Sequence, residues 1–328
     1  MDDERAAVSK LARVVHAPRT LDFLCEALQR FFIKGIRLAG DVWGDPSHPL
    51  VILQHGGGQT RHAWKRTGAV LGDIGYFAVA FDARGHGDSD WAPDGAYSQD
   101  LMVQDLQCVV AALGARSAVL VGASMGGGTS LVAAGEGAVE TRALVLVDIA
   151  PLEVEGVKNI QAFMFRNPDG FASLEEVADA IAAYQPHRER PTHLQGLAKN
   201  VRLGADDRYR WHWDPRFMQG HRDLEQRQGR LEACARALRV PSLLVRGGMS
   251  DVLTDEGARE YLALAPSSEY VNIATAGHMV AGDRNDTFGK AVGEFLTRIV
   301  PPSGSVSVDR QRAILVDRLN ATDLNDVP

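Results

Sequence analysis

The stretch SAVLVGASMGGG, residues 117–128, decides the fold class. Its first half is a nearly continuous apolar run, typical of a strand that is covered on both faces in a parallel sheet. Its second half places Ser124 in the pattern G-x-S-x-G and leads into a segment of helical character. A serine on a tight strand-to-helix turn holds its hydroxyl at the carboxyl edge of the sheet, in a strained backbone conformation. We therefore predict that Ser124 is a nucleophile; the alternative is a turn serine that only caps the helix.

Five short apolar runs organise the middle of the chain. They cover residues 50–53, 77–81, 118–121, 143–147 and 243–245, with helical stretches such as residues 98–113 and 124–134 between them. Strand followed by helix, repeated, predicts right-handed βαβ units and a doubly wound α/β fold with a mostly parallel sheet. The expected additions are an antiparallel edge from residues 31–36 and 37–43, a last strand at 269–273 and a closing helix at 286–299.

The interval of residues 151–239 interrupts this rhythm. It has no clear strand pattern, only amphipathic helical stretches and the charged aromatic segment RYRWHWDPRFM, residues 208–218. We interpret it as a helical cap, or lid, inserted into the sheet domain. The remaining segments are then an N-terminal extension of residues 1–29 that is predicted to be helical, a core of residues 30–150 and 240–300, and a C-terminal tail of residues 301–328.

The composition excludes several classes of protein. A hydrophobic share of 45% and a charged share of 23% are typical of a globular protein, and a net charge of -7 without a basic patch argues against a nucleic-acid partner. Cys25, Cys108 and Cys234 lie too far apart in sequence for a C-x-x-C pair, and no H-E-x-x-H spacing occurs, so we expect neither a metal nor a cofactor. The charged N-terminus MDDERAAVSK and the lack of an apolar run of ~20 residues predict a cytoplasmic protein without a signal peptide or a membrane segment.

A serine nucleophile needs a base, and the base needs a carboxylate to orient it. His278 follows the last predicted strand and has the chain position required by the order Ser, Asp, His. Two aspartates follow strands and are candidates for the acid: Asp251, after residues 243–245, and Asp148, after residues 143–147. We predict Asp251, because its strand directly precedes the last one and neighbouring parallel strands lie about 5 Å apart. Asp148 is the alternative.

Acyl transfer also requires an oxyanion hole. The first expected donor is the backbone N–H of Met125, the residue after the nucleophile. The second is expected in the loop HGGGQT, residues 55–60, where glycines let the backbone turn an N–H into the site; we predict Gly57, with Gly58 as the alternative. A phosphate cradle is a weak alternative, since neither G-x-x-x-x-G-K-[ST] nor G-x-G-x-x-G is present.

Five motifs in this order resemble the α/β-hydrolase superfamily: HGGGQTRHAW, FDARGHGDSD, VGASMGGG, VRGGMSD and AGH. The similarity is to the subgroup of carboxylesterases, cofactor-free haloperoxidases or perhydrolases, carbon–carbon bond hydrolases and epoxide hydrolases. It implies the α/β-hydrolase fold, with a mostly parallel eight-stranded sheet flanked by helices and a helical cap inserted after the sixth strand. It also implies that the turn containing Arg84 and His86 is structural.

The residue at the nucleophile position narrows the chemistry. The epoxide hydrolases and dehalogenases of this superfamily use an aspartate there to attack an alkyl carbon, whereas Ser124 with an oxyanion hole suits a carbonyl carbon. We therefore predict a serine hydrolase of carboxylic esters or lactones. The alternatives are a hydrolase of carbon–carbon bonds in diketones, a cofactor-free perhydrolase and a non-catalytic binding protein that kept the fold.

Aromatic residues of the predicted lid are expected to bind the substrate, a small molecule. The candidates are Trp211, Trp213 and Phe163, with Phe165 and Phe217 nearby in sequence. The alternative for the two tryptophans is that they only attach the lid to the core. No nucleic-acid or membrane partner is expected, and the sequence leaves a homo-oligomer open.

Overall fold

The computed structural model describes residues 12–16, 27–33, 35–149, 151, 160, 162–184, 190, 194–218, 224–283 and 285–302. The strands are β1 Ala12–His16, β2 Ala27–Ile33, β3 Ile36–Trp43, β4 Leu50–Gln54, β5 Phe77–Phe81, β6 Ala118–Ala123, β7 Thr141–Val147, β8 Val201–Leu203, β9 Tyr209–Trp211, β10 Ser242–Gly247 and β11 Glu269–Ile273. The α-helices are α1 Lys65–Asp73, α2 Gln99–Ala112, α3 Ser124–Gly135, α4 Leu174–Tyr184, α5 Leu224–Ala237, α6 Asp255–Leu264, α7 Val280–Asp283 and α8 Asn285–Ile299. Short 3-10 helices cover Arg61–Trp64, Leu194–Asn200 and Pro215–Met218. None of the helices in these ranges has the length and apolar character needed to cross a membrane.

Among the described residues, the main sheet has nine strands in the order β1-β2-β3-β5-β4-β6-β7-β10-β11. The strands from β5 to β11 in this order run parallel to one another, and β1, β2 and β3 form an antiparallel edge next to β5. The predicted α/β sheet is therefore confirmed, with one more strand than expected. That strand, β1, lies in the extension predicted to be helical, as does the start of β2, so the prediction is wrong for residues 12–16 and 27–29. The other residues of that extension lie outside the described ranges.

The central strands are buried on both faces, which explains their continuous apolar sequences. In β6, Leu120 packs in the same apolar cluster as helices α2 and α3, whereas Val119 and Val121 pack in the cluster that contains α1 and α8. Alternate residues of a strand point to opposite faces, so each strand contributes to both helical layers. The carboxyl ends of the parallel strands consequently meet at one edge of the sheet, where the candidate site is located.

The predicted helical cap is corrected in two respects by the described residues of the insertion after β7. Helix α5 packs against α3 in the core, so closely that a Cβ on Gly135 would lie 2.6 Å from the Cβ of Cys234. The predicted cap of residues 151–239 is therefore corrected at its end, because α5 belongs to the core. The described part of the lid contains α4 and a two-stranded ribbon, β8–β9, in which Val201 pairs with Trp211. The amphipathic sequence of α5 does not show which surface its apolar face covers, so the sequence was compatible with a place in the lid as well as in the core.

Candidate active site

Ser124 is the first residue of α3, directly after β6, and has a φ angle of 45°, in the left-handed region that non-glycine residues rarely adopt. The glycines on either side permit this turn. A Cβ on Gly122 would lie 2.4 Å from the carbonyl oxygen of Gly126, and a Cβ on Gly126 would lie 2.5 Å from the carbonyl oxygen of Gln54. The serine side chain is therefore carried on a sharp, close-packed strand-to-helix turn at the carboxyl edge of the sheet.

His278 and Asp148 form a hydrogen-bonded pair at the same edge. The Nδ1 atom of His278 lies 2.7 Å from Oδ2 of Asp148, whose side chain is fully buried. The carboxylate accepts two further hydrogen bonds, from the backbone N–H of Gly247 to Oδ1 at 2.8 Å and from the hydroxyl of Ser250 to Oδ2. A carboxylate oxygen can only accept in this contact, so the contact requires a proton on Nδ1 of the histidine. Nε2 of His278 is then the basic nitrogen.

The prediction that Asp251 holds His278 is wrong, since this contact belongs to Asp148. The underlying geometry was partly right: the loop after β10 does lie against the histidine loop, with Met249 N–H donating to the Ala276 carbonyl at 2.8 Å. The last residue of β10, Gly247, and Ser250 of this loop act as hydrogen-bond donors to Asp148, and the loop supplies no carboxylate to His278. The Asp251 side chain is exposed and lies near the lid, where burial and, to a smaller extent, this carboxylate raise the pKa of Tyr184 to about 12.

Asp148 reaches the histidine because of its backbone conformation. Its φ angle is 49°, directly after the last residue of β7, and its N–H donates to the Val245 carbonyl of β10 at 2.7 Å. The positive φ turns the chain at the strand end and aims the carboxylate towards the β10 and β11 loops. The sequence shows that an aspartate follows a strand, but it does not show that its φ angle is positive. For Ser250, the only signal in the sequence was its position next to the candidate acid Asp251.

The glycine-rich loop after β4 lies against Ser124. A Cβ on Gly56 would lie 3.4 Å from the Cβ of Ser124, and a Cβ on Gly57 would lie 4.0 Å from the Cβ of Met125. The N–H of Gly126 donates to the His55 carbonyl at 3.2 Å, which ties the loop to the first turn of α3. The structure therefore brings the two residues predicted as oxyanion donors, Gly57 and Met125, to adjacent positions beside the serine.

A family model described as the alpha/beta hydrolase fold matches residues 49–284, which include every residue of this site. The chain belongs to the α/β-hydrolase family. Esterase Rv0045c of Mycobacterium tuberculosis is 32% identical over 249 residues, which are 74% of this chain and 80% of that protein. The sn-1-specific diacylglycerol lipase ABHD11 of Mus musculus is 28% identical over 271 residues, 77% of this chain and 82% of that protein.

The family's fold is also found in solved structures that resemble this hydrolase. The crystal structure of E-2-(acetamidomethylene)succinate hydrolase superposes with a TM-score of 0.70 at 23% identity, covering 82% of this chain and 98% of that one. At this identity the likeness concerns the fold alone. The resemblance predicted from the five motifs is thus confirmed at the level of the family.

The lid aromatics predicted to bind substrate form a packed cluster. Trp211 and Trp213 are 9% and 4% exposed and stack with ring centroids 5.0 Å apart. Phe163 is half-buried and stacks on Tyr184 at 4.1 Å, while Phe171 meets Trp211 edge-on at 5.0 Å. Trp213 also lies over the glycine-rich loop, where a Cβ on Gly58 would be 3.4 Å from its ring. Substrate binding by Trp211, Trp213 and Phe163 stays a prediction, and the burial of the tryptophans favours a role in holding the lid together.

Replacing Trp211 by alanine is expected to destabilise the protein by about 3 kcal/mol, because a large buried ring that contacts three other rings is removed. Thermal unfolding should show a Tm lower by several degrees, with the ranking of substrates unchanged. Phe165→Ala is the matched control, since the Phe165 side chain is 50% exposed and should tolerate truncation. A changed substrate ranking with an unchanged Tm would instead place Trp211 in the substrate pocket.

Proposed function

We propose that this hydrolase cleaves carboxylic ester or lactone bonds of small molecules through an acyl-enzyme intermediate, with Ser124 as nucleophile, His278 as general base and Asp148 as the orienting acid. The observation that carries the proposal is the buried carboxylate of Asp148 hydrogen-bonded at 2.7 Å to His278, at the same sheet edge as the strained serine turn. A nucleophile, a base and an orienting group are the components that acyl transfer requires.

In the proposed reaction the Ser124 hydroxyl attacks the carbonyl carbon and its proton passes to Nε2 of His278. The resulting imidazolium donates to Asp148, whose negative charge stabilises it without taking its proton. The imidazolium then protonates the leaving alcohol. In the second half, His278 removes a proton from the water that attacks the acyl-enzyme. It then returns this proton to Oγ of Ser124 as the acyl–oxygen bond breaks, which releases the acid and restores the free serine.

The backbone N–H groups of Gly57 and Met125 are proposed to bind the negative oxygen of the tetrahedral intermediates. Support comes from the close approach of the two residues and from the hydrogen bonding of the loop. The neighbouring amides are occupied: Gly56 N–H donates to Oε1 of Gln59 at 2.9 Å, and Gly58 N–H donates to Nε2 of His86 at 3.2 Å. Within the described residues, the amide of Gly57 has no such partner, which leaves it available to a substrate oxygen.

Ester chemistry is favoured over attack on an alkyl carbon because the residue on the turn is a serine. An oxyanion hole stabilises charge that develops on a carbonyl oxygen, and an alkyl substrate has no such oxygen. The names of the esterase and the lipase described above agree with this substrate class, although this fold supports many reactions.

The test is turnover by the purified full-length protein on a panel of p-nitrophenyl esters, lactones and ring-cleavage diketones. We expect saturable hydrolysis of esters or lactones and covalent labelling of Ser124 by a fluorophosphonate, located by peptide mass spectrometry. Labelling should disappear in Ser124→Ala. Turnover of diketones alone would move the function to carbon–carbon bond hydrolysis, and no turnover together with no labelling would contradict a serine hydrolase.

A further inference from the structure

Three histidines outside the proposed catalytic pair lie together beside the glycine-rich loop. The ring centroids of His55 and His86 are 5.3 Å apart, and those of His86 and His212 are 5.9 Å apart. All three side chains are buried. They come from three different places: the loop of residues 55–59, the turn of residues 82–89 and the lid. None of them has a task in the reaction described above.

The first of these histidines fixes the peptide group between Gly56 and Gly57. Nδ1 of His55 donates to the Gly56 carbonyl at 2.8 Å, and Gln59 N–H donates to the same oxygen at 3.1 Å. The proton must be on Nδ1, because Nε2 accepts from the N–H of Ala83 at 2.9 Å. A trans peptide group is planar with its C=O and N–H opposed, so holding the Gly56 oxygen sets the direction of the Gly57 N–H.

The second histidine fixes the next peptide group, between Gly57 and Gly58. Nε2 of His86 accepts from the Gly58 N–H at 3.2 Å, and its Nδ1 donates to the Arg84 carbonyl at 3.2 Å. Since the backbone N–H can only donate, Nε2 has to be unprotonated for this contact. Both peptide groups that flank Gly57 are therefore held by imidazole rings.

The third histidine connects the lid to the same loop. Nδ1 of His212 accepts from the Gly87 N–H at 2.8 Å, and its Nε2 donates to the Gly58 carbonyl at 3.3 Å. Burial lowers the pKa of His212 to about 4, and burial likewise lowers the pKa of His55, so the neutral rings that these hydrogen bonds need persist at neutral pH. Gly58 is thus held at its N–H from the core and at its carbonyl from the lid.

We propose that His86 and His212 are positioning residues for the oxyanion hole. His55 sets the direction of the Gly57 N–H, and His86 and His212 hold the backbone on the other side of Gly57, so that this direction is kept when a tetrahedral intermediate forms. His212 thereby makes the lid a part of the catalytic apparatus rather than only a cover. The inference rests on the proposed acyl-transfer function. It predicts that loss of these contacts affects the transition state more than the bound substrate, because the oxyanion forms only during reaction.

A matched pair of substitutions at residue 86 tests the first contact. Glutamine and methionine have similar length and volume, but only glutamine carries an oxygen that can accept from the Gly58 N–H, and both lose the contact to Arg84. His86→Met is expected to lower kcat by ~10- to 100-fold with KM changed less than about twofold, as displacement of an oxyanion donor does. His86→Gln should restore most of the loss.

A second pair at residue 212 tests the lid contact and carries the test if the variants at residue 86 fail to fold. An asparagine side chain places its amide near the position of Nδ1 of His212, where it can accept from the Gly87 N–H, but it is too short to contact Gly58. A glutamine side chain extends to the position of Nε2 of His212 and can donate to the Gly58 carbonyl. His212→Asn is therefore expected to lower kcat more than His212→Gln does. Affinity for an alkyl trifluoromethyl ketone, which forms a tetrahedral adduct, should fall in parallel with kcat/KM.

The outcomes separate this inference from the proposed function. The positioning role is overturned, and the proposed function stands, if wild-type protein hydrolyses esters through Ser124 but the two variants within each pair have equal kcat values. The same holds if the substitutions change only the stability or KM. If wild-type protein neither turns over the panel nor labels at Ser124, the proposed function fails and the positioning role fails with it. A kcat loss in His86→Met that His86→Gln restores, matched by weaker binding of the ketone, supports the inference.

Discussion

Replacement of Ser124 by alanine is expected to reduce kcat for esters by a factor on the order of 10³ or more, because the covalent route through the acyl-enzyme is lost. The fold should be retained. Alanine keeps the Cβ atom that serine has at the left-handed φ angle of 45°, so the strain of the turn is nearly unchanged and no new cavity forms in the core. The measurement is steady-state hydrolysis of the best ester of the panel, with circular dichroism and Tm as checks on folding.

Ser117→Ala is the matched control for this variant. Ser117 is half-buried and lies just before β6, at the opposite end of the strand that leads to Ser124. The substitution therefore removes a serine hydroxyl group far from the sheet edge that carries the site. Its kcat should equal that of the wild-type protein within about twofold, as is usual for a substitution away from the reacting groups. A folded Ser124→Ala protein that keeps over half of the esterase activity would move the nucleophile to another residue.

Replacement of Asp148 by asparagine is expected to reduce kcat by about 10⁴-fold, the loss seen when the acid of such a triad is changed to an amide. The structure determines which way the amide must face. Gly247 N–H can only donate, so the asparagine oxygen has to take the Oδ1 position and its NH₂ group faces His278. An NH₂ group there can only donate, which forces His278 into the tautomer with its proton on Nε2. That tautomer cannot accept the serine proton.

Asp251→Asn is the comparison that decides between the two carboxylates. Its side chain is exposed, and Nδ1 of His278 is bonded to Asp148 instead, so kcat is expected to stay within about twofold of the wild-type value. Both variants keep the shape of the side chain, and Tm values should show whether stability differs between them. The reverse ranking of the two rates, measured on proteins of equal stability, would return the role of the acid to Asp251.

The sequence alone was sufficient for the features that depend on local pattern. Residues 77–81 and 269–273 match β5 and β11, and the predicted closing helix begins one residue after α8 does. Strand β5 was recognisable because it is buried along its whole length, and a strand that is covered on both faces must be apolar throughout. The turn at Ser124 could also be recognised from local sequence. The glycines at positions 122 and 126 are required there because the backbone of nearby residues and of β4 leaves no room for a Cβ atom.

The boundary of the lid depended on contacts that local pattern does not contain. Helix α5 and the lid helix α4 both have amphipathic sequences, and only packing distinguishes them: α5 lies against α3, where Gly135 gives room for Cys234. An amphipathic period indicates that one face is buried but does not say against which partner. The strand β1 is a comparable case, because a short antiparallel edge strand is defined by pairing with β2 and its sequence has no strong signal of its own.

The carboxylate of the site and the histidines around the glycine-rich loop were decided by the tertiary structure. Strand order correctly brought the loop of Asp251 to the loop of His278, but contact between loops does not specify which side chain points inward. That choice followed from the positive φ angle of Asp148 and from donors 99 and 102 residues away, Gly247 and Ser250. The contact of His212 with Gly58 spans 154 residues. Local sequence reports propensity and periodicity, whereas the direction of a buried polar side chain is set by partners that only the folded chain brings within hydrogen-bonding distance.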